Sequence, residues 1–272
     1  MPELPEVETV IRTLEAQIMG SKIIDINVWW DKIIARPAIR EFKDALIDQT
    51  FIKFDRKGKY LILHTDQYIL IIHLRMEGKF YLESFNSERS KHTHVIFKLD
   101  NNKELHYNDT RKFGRMYLYR KDEELTALAK IGHDPWDEKL TAMYLKNAFS
   151  KRKTTLKQAL LDQSIIAGIG NIYADEICFM AKLAPTKVVN TLSLTQCEMI
   201  LACTRTILKA AIKAGGTTIR SYTSSLGISG RFQLTLKVHT RANESCYDCQ
   251  NTIKKIKING RGTYFCPNCQ KE

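Results

Sequence analysis

Two cysteine pairs, Cys246-x-x-Cys249 and Cys266-x-x-Cys269, stand sixteen residues apart near the C-terminal end of the chain and constrain its fold more than any other feature. Each short turn offers two sulfurs, and a hairpin between them brings the pairs into a tetrahedron, the arrangement of a structural zinc site. Four protein ligands leave no open position, so such a metal holds a fold together and activates no water. The hairpin carries Lys254, Lys255, Lys257 and Arg261, and no acid lies between Cys249 and Cys266. Arg261 sits between Gly260 and Gly262, where the backbone can come close to a ligand. A solvated turn and an arginine held out to phosphates both fit that pattern. The other three of the seven cysteines, Cys178, Cys197 and Cys203, occupy helical positions and read as small buried side chains. An odd number of cysteines in a chain this long argues against a disulfide framework.

Length and charge narrow the class further. The 272 residues suit two modest domains, or one with appendages. Lys and Arg number 42 against 30 Asp and Glu, a formal charge of +12, which calls for a polyanionic partner. The longest apolar run, Tyr68 to Leu74, is far short of a membrane span. The N-terminus, Met-Pro-Glu-Leu-Pro-Glu-Val-Glu, is acidic and lacks the apolar core of a signal peptide, so a cytoplasmic location is expected.

The hydrophobic period changes along the chain. Leu4, Val7, Ile11, Leu14 and Ile18 recur at helical spacing, with Pro5 suited to a first turn. From Lys22 to about Tyr119 short β-rich segments follow one another, interrupted by a helix-like insert over Ile39–Ile47. That spacing suggests a sandwich or flattened barrel. After about residue 130 the pattern turns helical, near 138–150, 154–163, 171–183 and 193–214. Residues 215–230 are rich in Gly, Ser and Thr and read as a loop. Within Ile165–Glu176 a glycine turn joins two helices, and Asn171 reads as the N-cap of the second; a capped turn and a phosphate site are both open there.

Several segments match a known pattern in order: Met1-Pro2-Glu3-Leu-Pro-Glu, Arg56-Lys-Gly-Lys59-Tyr, His73-Leu-Arg-Met76-Glu-Gly, Asp109-Thr-Arg111-Lys-Phe113-Gly, Ala167-Gly-Ile-Gly-Asn171 and Gly260-Arg261-Gly-Thr-Tyr-Phe-Cys266. Together with the four cysteines they resemble the bacterial formamidopyrimidine-DNA glycosylases, enzymes that remove oxidised purines, across nearly the whole chain. The resemblance implies an α+β multidomain fold: an N-terminal β-sandwich with an N-terminal helix (2–131), a helix-two-turn-helix domain (132–230, with a lesion-capping loop over 215–230) and a C-terminal zinc finger (237–271).

It also implies roles. Pro2 resembles the nucleophile, freed by loss of Met1, and Glu3 the neighbouring acid/base. Lys59 resembles a lysine that grips phosphate beside the lesion and assists proton transfer. Asn171 and Arg261 resemble a backbone clamp, with Arg261 also serving the final elimination, and His92 and Arg152 further phosphate contacts. Met76, Arg111 and Phe113 resemble the side chains that fill the gap left by an extruded base. Arg220, Ser221, Tyr222 and Thr223 fall in the loop that closes over that base. Cys246, Cys249, Cys266 and Cys269 resemble the ligands of one structural zinc. The implied partner is double-stranded DNA bearing oxidised purines or abasic sites, bound by a monomer with no membrane involvement.

Locally each residue has a plainer reading: Glu3 as a helix-dipole acid, Lys59 as a strand-end charge, Met76 as core. Two other functions use the same features, an oxidised-pyrimidine glycosylase of the endonuclease VIII type and a non-catalytic zinc-dependent DNA-binding protein. The Arg111/Phe113 pair and the Gly-Arg-Gly finger favour the purine enzyme. One departure from the family pattern stands out. Where the family usually has a Val-Tyr-Gly-Arg-like stretch, this chain has Val238-His239-Thr240-Arg241, which leaves the local turn and the docking of the finger open.

Overall fold

The structure is a computed structural model that describes residues 1–217 and 230–272. It divides into two compact units, Met1–Ala129 with Gly215–Gly230, and Lys130–Ala214 with Arg231–Glu272. The start of the Gly/Ser/Thr-rich segment thus goes with the first unit rather than with the helices that precede it.

The first unit opens with helix α1 (Leu4–Ile18), followed by β1 (Ile23–Val28), β2 (Ile34–Arg36), α2 (Ile39–Leu46), β3 (Lys53–Lys57), β4 (Tyr60–His64), β5 (Tyr68–His73), β6 (Lys79–Ser84), β7 (Thr93–Leu99), β8 (Lys103–Asn108) and β9 (Arg115–Arg120). Two sheets form, ordered β1-β7-β8-β6 and β2-β9-β5-β4-β3. The core draws on both: Ile26, Val95, Phe97, Leu105 and Tyr107 from one, Leu61, Leu63, Leu70, Ile72 and Leu118 from the other, closed by Val7, Ile11, Leu14 and Ile18 of α1. This is a sandwich whose alternate residues face inward. The apolar run of β5 has a second reason. Ile69 and Ile71 point to the opposite face, where they join Ile62 and Tyr119 in a smaller cluster covered by Leu125 and Leu128. Helix α1 packs on β3 and β4, and the Arg56–Glu8 ion pair, 2.9 Å and nearly buried, ties it to β3. Burial pulls the Glu8 carboxyl up, but the bonds and charges of Arg56 and Arg12 outweigh it and hold the group below its usual range.

The second unit contains α3 (Ala142–Ser150), α4 (Leu156–Leu161), α5 (Asn171–Met180), α6 (Leu194–Lys213) and the hairpin β10 (Lys254–Ile258) and β11 (Arg261–Phe265). Thr141, Thr155 and Ser193 cap α3, α4 and α6 with side-chain oxygens. The hairpin turns on Asn259 and Gly260, both at positive φ, as a two-residue loop of this kind requires. Cys178, Cys197 and Cys203 are buried, and burial raises each thiol above its ordinary range, which keeps it inert. Among the described residues no helix is long and apolar enough to cross a membrane.

Candidate functional site

In the first unit the N-terminus is held by α1 itself. Glu3 is the N-cap residue, and the Glu6 carboxylate reaches back to its N–H at 2.8 Å. Pro2 and Glu3 are both buried. Met1, whose main chain caps the Pro2 nitrogen as an amide, lines an open cavity of about 440 Å³ with Arg75, Met76, Arg111, Phe113 and Arg115. Met76 and Phe113 are 37% and 47% exposed, large apolar side chains left outside the core beside the chain start. The Arg111 guanidinium lies 4.8 Å over the Phe113 ring. Met76, Arg111 and Phe113 thus line one cavity.

The loop that presents Arg111 and Phe113 is organised by Asp109. Its fully buried carboxylate accepts from the N–H groups of Arg111 (3.0 Å), Phe113 (2.9 Å) and Gly114 (2.8 Å). A side chain at Gly114 would collide with the Tyr107 hydroxyl, so only glycine lets the loop seat there. The N–H of Asp109 donates to the carbonyl of His92 at 2.9 Å, placing His92 next to the same loop.

Lys59 ends the tight turn between β3 and β4 and is 6% exposed. The strand register sets Tyr60 opposite His73, and the two rings meet edge to face at 4.5 Å. His73 Nδ1 accepts from the Arg75 N–H at 2.9 Å. Burial, with the charges of Arg75 and Lys59 close by, pushes this imidazole down to about 3. It is neutral at physiological pH, and since Nδ1 accepts, the proton sits on Nε2 as a donor.

The second unit carries the other candidates. Asn171 is the first residue of α5, not its cap: Gly170 occupies the cap position without a side chain to offer. The amide is used elsewhere, Nδ2 donating to the Gly262 carbonyl of β11 at 3.2 Å, and this tertiary bond outcompetes local capping. Arg261 is exposed at the hairpin tip and lines a cavity of about 210 Å³ with Gln158, Leu161, Asp162, Ile258 and Asn259. Arg152 pairs with Asp162 at 2.9 Å and donates to the Ala148 carbonyl at 3.1 Å. Burial alone would raise the Asp162 carboxyl, but bonds from Ser164 and the Arg152 charge hold it below its usual range.

The sulfurs of Cys246, Cys249, Cys266 and Cys269 lie within 4.8 Å of one another. The Cys249–Cys266 and Cys246–Cys269 separations, 3.4 and 3.9 Å, bracket the roughly 3.8 Å edge of a tetrahedron with zinc–sulfur bonds of about 2.3 Å. The donor set therefore fits one structural zinc. Residues Arg220, Ser221, Tyr222 and Thr223 lie outside the described residues.

Comparison with known proteins places the chain in a family. The formamidopyrimidine-DNA glycosylase N-terminal domain matches residues 1–116, the formamidopyrimidine-DNA glycosylase H2TH domain residues 131–223, and the zinc finger found in FPG and IleRS residues 239–271. The chain belongs to the formamidopyrimidine-DNA glycosylase family. The family's enzyme from Bacillus licheniformis is 44% identical over the whole of both chains, and that of Bacillus anthracis 43% over 99% of each. Among solved structures, the complex of Lactococcus lactis Fpg with DNA containing an abasic site superimposes with a TM-score of 0.93 at 40% identity, covering 99% of this chain and 100% of that one. A wild-type Lactococcus lactis Fpg bound to N7-benzyl-Fapy-dG DNA gives the same TM-score and identity over the full length of both. The formamidopyrimidine-DNA glycosylase fold thus carries the N-terminal sandwich, the helical domain and the zinc finger.

Three residues without an assigned role in the sequence emerge from the structure: His73 beside Lys59, Asp109 beneath Arg111 and Phe113, and Asp175 beneath the finger. The first two lie inside the matched motifs, which was the available signal. Nothing local marked Asp175.

Proposed function

We propose that this chain excises oxidised purines from duplex DNA and then cuts the strand at the resulting abasic site, with Pro2 as the nucleophile. The observation that carries the assignment is the N-terminus: Pro2 at the start of α1, beside buried Glu3, with Met1 lining the cavity shared by Met76, Arg111 and Phe113. Loss of Met1 frees a secondary amine whose ordinary pKa, near 8, lies well below that of lysine at about 10.4, and the positive end of α1 favours the uncharged form further. The amine attacks the sugar C1′, the C1′–N bond to the base breaks, and Glu3 protonates the opening ring oxygen. The resulting iminium withdraws electrons, so the C2′ proton is lost and the 3′ and then the 5′ phosphate leave.

Lys59 grips phosphate next to the lesion and assists proton transfer, with the Nε2–H of His73 pointing to a neighbouring role. Met76, Arg111 and Phe113 fill the space of the extruded base, Phe113 as the apolar wedge and Arg111 as partner of the orphaned cytosine. Asn171 and Arg261 hold the backbone, Arg261 also serving the last elimination, and His92 and Arg152 add phosphate contacts. The zinc holds the finger and takes no part in the chemistry. The enzyme acts as a cytoplasmic monomer on cellular DNA.

Borohydride trapping tests this reading. Protein whose loss of Met1 is confirmed by mass spectrometry is incubated with a duplex carrying 8-oxoguanine opposite cytosine. A covalent protein–DNA adduct is expected, and Pro2→Gly weakens it. A processed protein that binds the duplex and yields no adduct is a DNA-binding protein only. Preference for a thymine glycol duplex over the 8-oxoguanine one points instead to the endonuclease VIII type.

A further inference from the structure

Arg261 stands at the tip of a two-stranded hairpin, and such a hairpin is marginal by itself. The metal anchors only the other end. From Cys266 back to Arg261 the strand runs five residues, roughly 16 Å at about 3.3 Å per residue, so the zinc does little to aim the tip. A second anchor is present in the second unit. The Asp175 carboxylate on α5 is wholly buried, with Lys157 Nζ at 2.7 Å, His239 Nδ1 at 2.7 Å and the Tyr264 N–H at 3.2 Å. Lys157, also wholly buried, donates in turn to the Gly262 carbonyl at 2.8 Å, the same oxygen that Asn171 reaches. The main chain of β11 is therefore held on the residue after Arg261 and again at Tyr264.

The neighbouring acid completes the grip. Glu176 accepts from the N–H groups of Lys237, Val238 and His239, each at 2.9 Å, fixing the strand that delivers His239. The imidazole also meets the Tyr264 ring edge to face at 5.0 Å. His239 is one of the residues at which this chain departs from the usual family stretch, and its partner Asp175 is 64 residues away. Buried charges persist only when paired and hydrogen-bonded, and such networks hold one geometry against alternatives.

We propose that Asp175 and His239, braced by Lys157, are positioning residues that aim Arg261 at a DNA phosphate. The proposal rests on Arg261 being a phosphate contact. It is tested by measuring affinity for a duplex with a tetrahydrofuran abasic-site analogue over a range of salt, alongside zinc content. The variants are Asp175→Asn, His239→Gln, Arg261→Ala and the two doubles with Arg261→Ala. Each positioning variant is expected to weaken binding roughly tenfold and to flatten the log–log salt dependence by about 0.9, one phosphate's worth. Each double should bind no worse than Arg261→Ala alone, since the interaction can be lost only once.

Additive losses with the salt slope retained overturn the proposal. So does loss of zinc by both positioning variants, because the pair then holds the metal module together rather than aiming its tip. If only Asp175→Asn loses zinc, His239→Gln decides. Unchanged affinity and slope in Arg261→Ala alone remove the phosphate contact itself, and the positioning role with it.

Discussion

Glu6 and Thr217, separated by 211 positions in the chain, are bonded twice: the Glu6 Oε1 accepts from the Thr217 N–H at 2.7 Å and from its hydroxyl at 3.1 Å. The other oxygen of Glu6 accepts from the Glu3 N–H at 2.8 Å. One carboxylate therefore joins the start of the candidate catalytic helix to the segment that follows α6. Gly216 makes room for it, at φ 81°, where a Cβ would stand 2.7 Å from Glu6 Oε1. Gly216→Ala is expected to lose about 2 kcal/mol or more, from left-handed strain and from displacement of the Glu6 bonds. Urea denaturation measures the stability loss. A variant as stable as the parent would mean that neither the close approach nor the backbone conformation matters in solution.

His73 gives the acid limb a definite sign. Unfolded, the imidazole takes up a proton near pH 6.5; folded, it resists until about 3. Its contribution is whole above pH 6.5 and falls as pH drops through the window toward 3, by at most about 1.4 kcal/mol per pH unit. His73→Gln removes this titration. Between pH 6.5 and 5 its unfolding free energy should decline by roughly 1–2 kcal/mol less than that of the parent. Parallel acid limbs in urea titrations at the two pH values would contradict the buried neutral assignment.

Much of the fold was readable because its causes are local. The helical spacing of Leu4 to Ile18 gives α1, and the cysteine spacing gives a donor set that the structure brings within reach of one ion. The short strand β2 escaped because three residues after a tight turn carry no period, and only parallel pairing with β9 defines it. Asn171 misled for the opposite reason. Its type favours a cap, but a carbonyl 91 residues away claims the amide. Asp175 is further from local reading still, with partners 64 and 89 residues distant. Sequence conveys which side chains are able to do chemistry; the network that orients them is assembled from contacts with no sequence period.

Zinc removal follows from the same geometry. Four sulfurs within 4.8 Å of one another lose their common partner, and β10–β11 is too small to stand without it. A chelator strong enough to strip the metal should abolish specific binding to lesion-bearing duplex in a gel-shift titration, in step with zinc release followed by a chromophoric indicator. Readdition of zinc should restore it. Full affinity in protein shown to be metal-free would place the binding energy outside the finger.

Thr240 offers a gain rather than a loss. It sits at φ 67°, a left-handed conformation that a β-branched residue adopts at a cost of about 1–2 kcal/mol. The family usually places glycine here. The side chain is exposed and, among the described residues, its hydroxyl donates to the adjacent His239 carbonyl alone, at 2.6 Å, so little packing opposes a change. Glycine removes the strain but adds roughly 0.5–1 kcal/mol of backbone entropy to the unfolded chain. The balance favours Thr240→Gly by about 0.5–1 kcal/mol, which corresponds to a rise in Tm of roughly 1–4 °C for a chain of this size. Calorimetry on the zinc-loaded protein measures it. A lower Tm would mean that the hydroxyl bond to His239 outweighs the strain, and that Thr240 helps hold the imidazole which pairs with Asp175.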